Sequence, residues 1–220
     1  MTKEFLTIFT AAVLAIAVST CGSDGANKTT TSETKQKSKT EMDKTTRKSK
    51  PDSNEKNMTM TTTNDELRFS LGGSGTATVA WGNEKKTVKL AGNQYKSFVI
   101  DFSNATSRTV TISGKKITYF DCVWGGLTKL DVSKNTALTE LILNVNQLKS
   151  LDLSKNTALT YLDLKANQFT ATALNNLFGT LHGKGGTINI AYNPGTDNCN
   201  KRIAEAKKWT VEIVEQENYD

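Results

Sequence analysis

The chain has 220 residues, 36% of them hydrophobic, and a formal net charge of +6. That length excludes a large multidomain assembly and allows one ordinary domain, or two small ones with extensions. The basic excess is modest, and the half of it between Gly22 and Asn64 has no aromatic side chain beside it to stack on bases, which argues against a nucleic-acid partner.

The first twenty residues read as an export signal. Lys3 supplies a positive start, and Phe5 to Val18 form an apolar run broken only by threonines. As a helix that run would rise about 21 Å, short of a hydrocarbon core of about 30 Å, so it predicts a cleaved signal and not a permanent span. The run ends in VSTCG, Val18 to Gly22. This resembles the lipobox of bacterial lipoproteins, with Thr20 and Val18 standing where smaller residues and Leu are commoner. The resemblance implies cleavage before Cys21 and lipid on its thiol, hence palmitate-type acylation and membrane anchorage through several acyl chains. Gly22-Ser23-Asp24 is similar to the short acidic export tag of surface lipoproteins from Bacteroidetes-type bacteria, which implies an outer-membrane, surface-exposed location. A periplasm-facing anchor is the alternative.

Residues 22–64 contain no Phe, Tyr, Trp, Leu, Ile or Val. A segment with so little to bury cannot offset its ordering entropy, which predicts a disordered spacer over 21–64. From Asp65 to Lys116 the pattern turns to period two. Five segments (66–71, 75–81, 86–90, 96–102 and 108–113) alternate or carry β-branched runs, separated by GGSG, GNEK, AGNQ and SNATS. That spacing predicts a small antiparallel β-sandwich over 65–116. WGNE at Trp81–Glu84 and RTVTISG at Arg108–Gly114 resemble a polycystic-kidney-disease-type domain, without its WGDG and HTY, and imply fold only.

From Ile117 a repeat begins. Ile117, Leu138 and Leu159 lie 21 apart, and ITYFDCVWG, LTELILNVN and LTYLDLKAN align beneath one another in the form L-x-x-L-x-L-x-x-N. Gly125 replaces Asn in the first copy, and GGTINIAYN ends a fourth, longer copy at Asn193. This is a leucine-rich repeat at the short end of its range, and it resembles the repeats of bacterial internalin-like and Bacteroidetes surface proteins. Copies of this kind stack their apolar faces because none can close a core alone. The expectation is therefore a mainly β fold: the small sandwich, then a short right-handed leucine-rich-repeat solenoid over 117–197, then a helix–strand cap over 198–220. Leu174, Leu177, Phe178 and Leu181 predict a helix over 171–182, and CNKRIAEAKKW predicts another with Ile203 and Ala206 inward. The ninth-position asparagines sit where each strand turns, where their amides can satisfy buried N–H and C=O groups, and Asn146, Asn167 and Asn193 are expected to stack as an amide ladder. Three strand spacings between Cys122 and Cys199 are about 14 Å, beyond disulfide reach, so two free thiols are expected.

The two halves of each copy differ in what they allow. Leu127–Ala137 and Leu148–Ala158 share eight of eleven residues, including outward Asp, Ser and Lys, whereas Leu138–Gln147 and Leu159–Gln168 differ only at non-core positions. The repeated half reads as scaffold and the varied half as a recognition surface. Stacking would gather Tyr119, Glu140, Tyr161 and Thr187 in one column, Asp121, Ile142, Asp163 and Asn189 in a second, and Val123, Asn144, Lys165 and Ala191 in a third, flanked by Trp124 and Tyr192. Aromatic residues among carboxylates have the make-up of a protein-binding hot spot. The candidate partner-binding residues are thus Tyr119, Asp121, Trp124, Glu140, Ile142, Asn144, Tyr161, Asp163, Lys165 and Tyr192.

Catalysis finds no footing. The single histidine, His182, sits in LHGKGG at an expected helix end and reads as a solvated loop residue. No His/Cys cluster has metal-ligand spacing, no cofactor motif occurs, and Asp121 and Asp163 on an open strand face lack the pocket a glycosidase pair requires. The reading is a non-catalytic, lipid-anchored surface protein that binds a protein partner, host or bacterial. A carbohydrate-binding module and a purely structural envelope protein are the alternatives.

Overall fold

The computed structural model describes residues 57–213 apart from Asn93 and Thr106. The signal peptide, Cys21 and residues 22–56 of the expected spacer lie outside the described residues. The described part is mainly β, with one mixed sheet and two helices. In chain order the elements are β1 (Asn57–Thr62), β2 (Glu66–Trp81), β3 (Glu84–Ala91), β4 (Lys96–Asp101), β5 (Thr109–Asp121), β6 (Leu127–Asp131), β7 (Glu140–Ile142), β8 (Tyr161–Asp163), α1 (Ala171–Thr180), β9 (Gly186–Asn189), α2 (Arg202–Glu205) and β10 (Trp209–Glu212).

The spine of the sheet is the antiparallel pair β2 and β5, whose length lets each flank serve two partners. Along its outer edge β2 pairs first with β4 and then with β3. On the opposite edge of β5, the first half pairs antiparallel with β1 and the last three residues pair parallel with β7. The parallel series then continues through β8, β9 and β10. β5 is thus the strand at which antiparallel pairing turns into parallel pairing.

Several expectations are corrected by this topology. The spacer does not reach Asn64, because NMTMTT forms β1 and turns Met58, Met60 and Thr62 into the core. The period-two signal was present, but methionine rather than Leu, Ile or Val carried it. The strands expected at 66–71 and 75–81 are one strand, β2, bent by register shifts beside Gly72–Gly73 and between Ser74 and Ala77. Gly73 carries a φ of 140° and faces the Lys116 carbonyl so closely that a Cβ there would lie 2.0 Å from its oxygen, so no side chain fits the bend. A sandwich of two sheets over 65–116 is not formed: β1 to β5 belong to the same hydrogen-bonded sheet as the repeats, and β5 runs unbroken across 116/117. The second expected helix is a single turn: Ile203 packs against the core as expected, but the fully buried residue is Ala204, and Ala206 is exposed.

The 21-residue spacing sets the register of the parallel strands. Tyr119 pairs with Glu140 and Glu140 with Tyr161, Phe120 with Leu141 and Leu141 with Leu162, Asp121 with Ile142 and Ile142 with Asp163. Backbone bonds recur at that interval, from Thr139 N–H to the Thr118 carbonyl and from Thr160 N–H to Thr139, both 2.8 Å. The longer fourth copy keeps the register, with Tyr161 opposite Thr187 and Leu162 opposite Ile188. Inward residues of every copy, among them Leu138, Leu141, Leu143, Leu159, Leu162, Leu164, Ile188 and Ile190, are at most 1% exposed and join the β2–β5 side chains in one core. At about 25 cal/mol per Å², burial of each such side chain stabilises by roughly 1.5–3 kcal/mol.

The asparagines hold successive copies together through the backbone, not through one another. Nδ2 of Asn167 donates to the Leu143 carbonyl of the preceding copy at 2.8 Å and to Leu164 at 3.1 Å, while its Oδ1 accepts from Leu148 N–H at 3.0 Å. Asn146 makes the same set with Cys122, Leu143 and Leu127, and Asn193 with Leu164, Ile190 and Phe169. The amide-on-amide ladder is therefore replaced by bridges to carbonyls and N–H groups, an arrangement that pairs the backbone groups buried at each turn.

The repeated half has an equally local cause. Asp131 Oδ1 accepts from Ser133 N–H and Asp152 Oδ1 from Ser154 N–H, each at 2.8 Å, and Asn156 Nδ2 donates to Val132 and Asn135 carbonyls at 3.0 Å. D-x-S-x-N thus folds one turn in both copies, and in the second its Asn docks that turn on the first, whereas the equivalent Asn135 amide is buried without a partner among the described residues. In the third copy α1 takes the place of the corresponding segment. Thr170 caps its N-terminus through Ala173 N–H, and Thr180 Oγ1 accepts from Leu153 N–H at 3.1 Å. No basic residue lies in its last turn, so Lys207 Nζ reaches in to donate to the Gly179 and Leu181 carbonyls.

Cys122 and Cys199 are free thiols, as their separation predicts. Burial pushes the Cys122 thiol up to about 12, with the Asp121 charge adding to it. In the unfolded chain the same thiol ionises near about 8.5, so unfolding releases a proton between those values. Its stabilisation is complete below the lower value and is lost as pH rises through the window. In urea unfolding measured at stepped alkaline pH, Cys122→Ala is expected to lose stability with pH less steeply than the parent. Equal slopes would refute the assignment.

Candidate functional site

The outward residues of β5, β7 and β8 form one face, because neighbouring strands in parallel register point equivalent positions the same way. Tyr119, Glu140 and Tyr161 occupy its first column and Asp121, Ile142 and Asp163 its second, all half-buried. Val123, Asn144 and Lys165 continue it as a half-buried third column. The structure thus brings together the ten residues singled out by sequence on the varied side of the repeat. Two outer members of the columns behave differently: Asn189 and Ala191 are buried, Asn189 Oδ1 accepting from Ala191 N–H at 3.0 Å, so the face narrows at the fourth copy.

Trp124 and Tyr192 occupy the same position of the first and last copies. Trp124, Val145, Ala166 and Tyr192 all sit at φ between 53° and 58°, a left-handed conformation that costs a non-glycine residue roughly 1–2 kcal/mol. In the three later copies this turn aims the next residue, Asn146, Asn167 or Asn193, inward to its backbone partners, and those bonds enforce it. Where the middle copies place Val and Ala, the two ends present aromatic rings, Trp124 73% and Tyr192 57% exposed.

Sequence reasoning missed a contribution from outside the repeat. Tyr95, just before β4, stacks on Tyr119 with ring centroids 4.1 Å apart. Gly72 makes room for the pair: a Cβ there would lie 2.8 Å from the Tyr95 ring and 2.9 Å from Tyr119 Cβ. Val99 of β4 is 55% exposed and, with Val123 and Asp121, lines a cleft of about 310 Å³ beside the columns. The available signal was Val99 itself, an apolar residue at an outward position between Ser97 and Asp101.

The electrostatics are those of a partly dehydrated acidic surface. Tyr119 Oη donates to Asp121 Oδ2 at 3.1 Å, and burial together with that carboxylate pushes the Tyr119 phenol well above its ordinary range. Burial, with Asp163 and Glu212 nearby, raises Tyr161 as well. Asp163 is raised by burial despite the Lys165 N–H that donates to its Oδ1 at 2.9 Å.

His182 takes no part in this face, and it is not a solvated loop residue. Half-buried, it has Nε2 2.7 Å from the Leu159 carbonyl and Nδ1 accepting from Lys184 N–H at 3.1 Å, while Trp209 Nε1 donates to its carbonyl at 3.0 Å. It joins the third copy to the C-terminal strand. Among the described residues no group of His, Cys, Asp and Glu is arranged to hold a metal ion. Compared with protein-family models, with curated proteins and with solved structures, the chain gives no match, so its function is argued from its own residues.

Proposed function

We propose that residues 117–213 are a short leucine-rich-repeat solenoid whose strand face binds a protein partner, carried by a non-catalytic lipoprotein anchored through Cys21 in the outer membrane and displayed at the surface. The observation that carries the reading is the division of labour within each copy. In the repeated half Asp131, Asp152 and Asn156 Nδ2 are engaged in internal bonds, while the buried Asn135 amide finds no partner among the described residues. The varied half keeps its inward leucines and devotes its outward positions to Tyr119, Tyr161 and Ile142 among carboxylates, with Trp124 protruding beside them. Large rings half-withdrawn from water, ordered by their neighbours before any partner arrives, lose little entropy on binding.

The test is the triple variant Tyr119→Ala, Trp124→Ala, Tyr161→Ala against arrayed extracellular proteins and glycans. The parent is expected to bind a protein, and the variant to bind it at least tenfold more weakly with its melting temperature nearly unchanged. Binding equal to the parent's, or parent binding confined to glycans, would overturn the reading. Incorporation of an alkyne fatty acid that disappears in Cys21→Ser checks the anchor.

A further inference from the structure

The cleft beside β4 and the charge of the strand face together identify the partner's chemistry. The chain as a whole is +6, yet Asp121, Glu140, Asp163 and Glu212 lie within the paired columns with Lys165 as their one cation. Asp121 and Asp163 flank Ile142 in direct register, so their backbones stand about 10 Å apart across an apolar side chain. That gap fits the methylene stem of a Lys or Arg laid on Ile142 with its charged head reaching either carboxylate. Tyr119 and Tyr161 flank Glu140 in the adjoining column, beside that gap, where a ring can meet a cation, one face of Tyr119 being covered by Tyr95. Arg68 lines the same cleft with its Nε engaged by Glu66 at 2.7 Å, and the side-chain partner of Asp121 is the Tyr119 hydroxyl, not a cation. The cleft continues the apolar contact past the repeat through Val123 and Val99, and Tyr95 extends the tyrosine column onto β4.

Resting on the binding-face reading, we infer that the surface running from Tyr95 and Val99 across β5, β7 and β8 docks an extended polypeptide segment bearing Lys or Arg between apolar residues, the β2–β4 strands supplying part of the site. Half-buried carboxylates that outnumber their one lysine, Lys165, disfavour a neutral glycan and favour a cation that restores their solvation.

The experiment titrates the full chain, in mild detergent, into fluorescein-labelled short peptides repeating Lys-Val-Ser, Gln-Val-Ser or Glu-Val-Ser, read by anisotropy. The lysine peptide is expected to bind at least tenfold more tightly than either counterpart, although the protein is itself a net cation, and to weaken as salt is raised. Asp121→Asn with Asp163→Asn should cost at least tenfold in affinity, and Tyr95→Ala about fivefold. Glu205→Gln, which removes an exposed carboxylate from α2, should change nothing. Thermal melts of each variant establish that it is folded. Equal binding of the glutamine peptide, no binding of the lysine peptide, or an unaltered affinity in the double Asp variant each overturns the inference. If the cationic peptide fails while the Tyr119, Trp124, Tyr161 variant still loses its arrayed protein, the binding face stands and its assigned chemistry falls.

Discussion

Asn167→Ala is expected to lower the melting temperature by about 8 °C, at a loss of roughly 2–4 kcal/mol. The side chain is only 6% exposed and bonds four backbone groups in two copies of the repeat, the Lys165 carbonyl most weakly at 3.4 Å. Truncation leaves Leu148 N–H buried without a partner, at about 1–3 kcal/mol, and removes one of two amide donors from the Leu143 carbonyl, which keeps Asn146 Nδ2. Asn167→Asp keeps the acceptor for Leu148 but loses both donors and buries a charge, so it is expected to be at least as damaging. Gln168→Ala, at the exposed neighbouring position, should stay within about 0.5 kcal/mol of the parent. Urea unfolding of the three variants separates these outcomes. An Asn167→Ala chain as stable as Gln168→Ala would mean that the bridges hold nothing together.

Gly125→Asn, which restores the repeat's own pattern in its first copy, is expected to destabilise by about 3 kcal/mol or more, through overpacking and an unpaired buried amide. The three later asparagines donate to carbonyls of the copy before them. Gly125 has no such copy. A Cβ there would meet Cys122 Sγ at 2.4 Å, Leu67 Cδ1 at 3.2 Å and Asn146 Oδ1 at 3.2 Å. The space is filled by β2, and the Gly125 carbonyl accepts from Oγ1 of Thr62, the last residue of β1, at 2.6 Å. Part of the collision is with one sulfur, so Gly125→Ala should be less damaging in a Cys122→Ala background than alone. A double-mutant cycle read by urea unfolding measures that coupling. A Gly125→Asn chain at least as stable as the parent would sink the account.

How each copy is built was legible because its signals are local and periodic. Leucines at fixed intervals name the inward face, and Asn at the ninth position names the turn that needs an amide. Those intervals alone led to the columns Tyr119–Glu140–Tyr161 and Asp121–Ile142–Asp163 and to two thiols out of each other's reach. Period-two alternation likewise located β3 and β4 to within about two residues.

What the intervals could not carry was decided by contacts between segments far apart in the chain. β1 pairs with β5 and β6 across about 50 to 70 residues, and its period-two alternation is carried by methionines in a threonine-rich stretch, without the Leu, Ile or Val that would have set it apart from the residues before it. The union of the sheet depends on β5 offering one edge to β1 and β7 in turn, a choice made by the length of the strand and its partners. The site was enlarged in the same way. Tyr95 reaches Tyr119 only because Gly72, on a third strand, leaves space for its ring, and His182 acquired its structural role from Leu159 and Trp209. Local pattern determines which way a side chain points. Which distant backbone lies beside it is a property of the assembled sheet, and that neighbour decided where the surface ends and which charges on it remain unanswered.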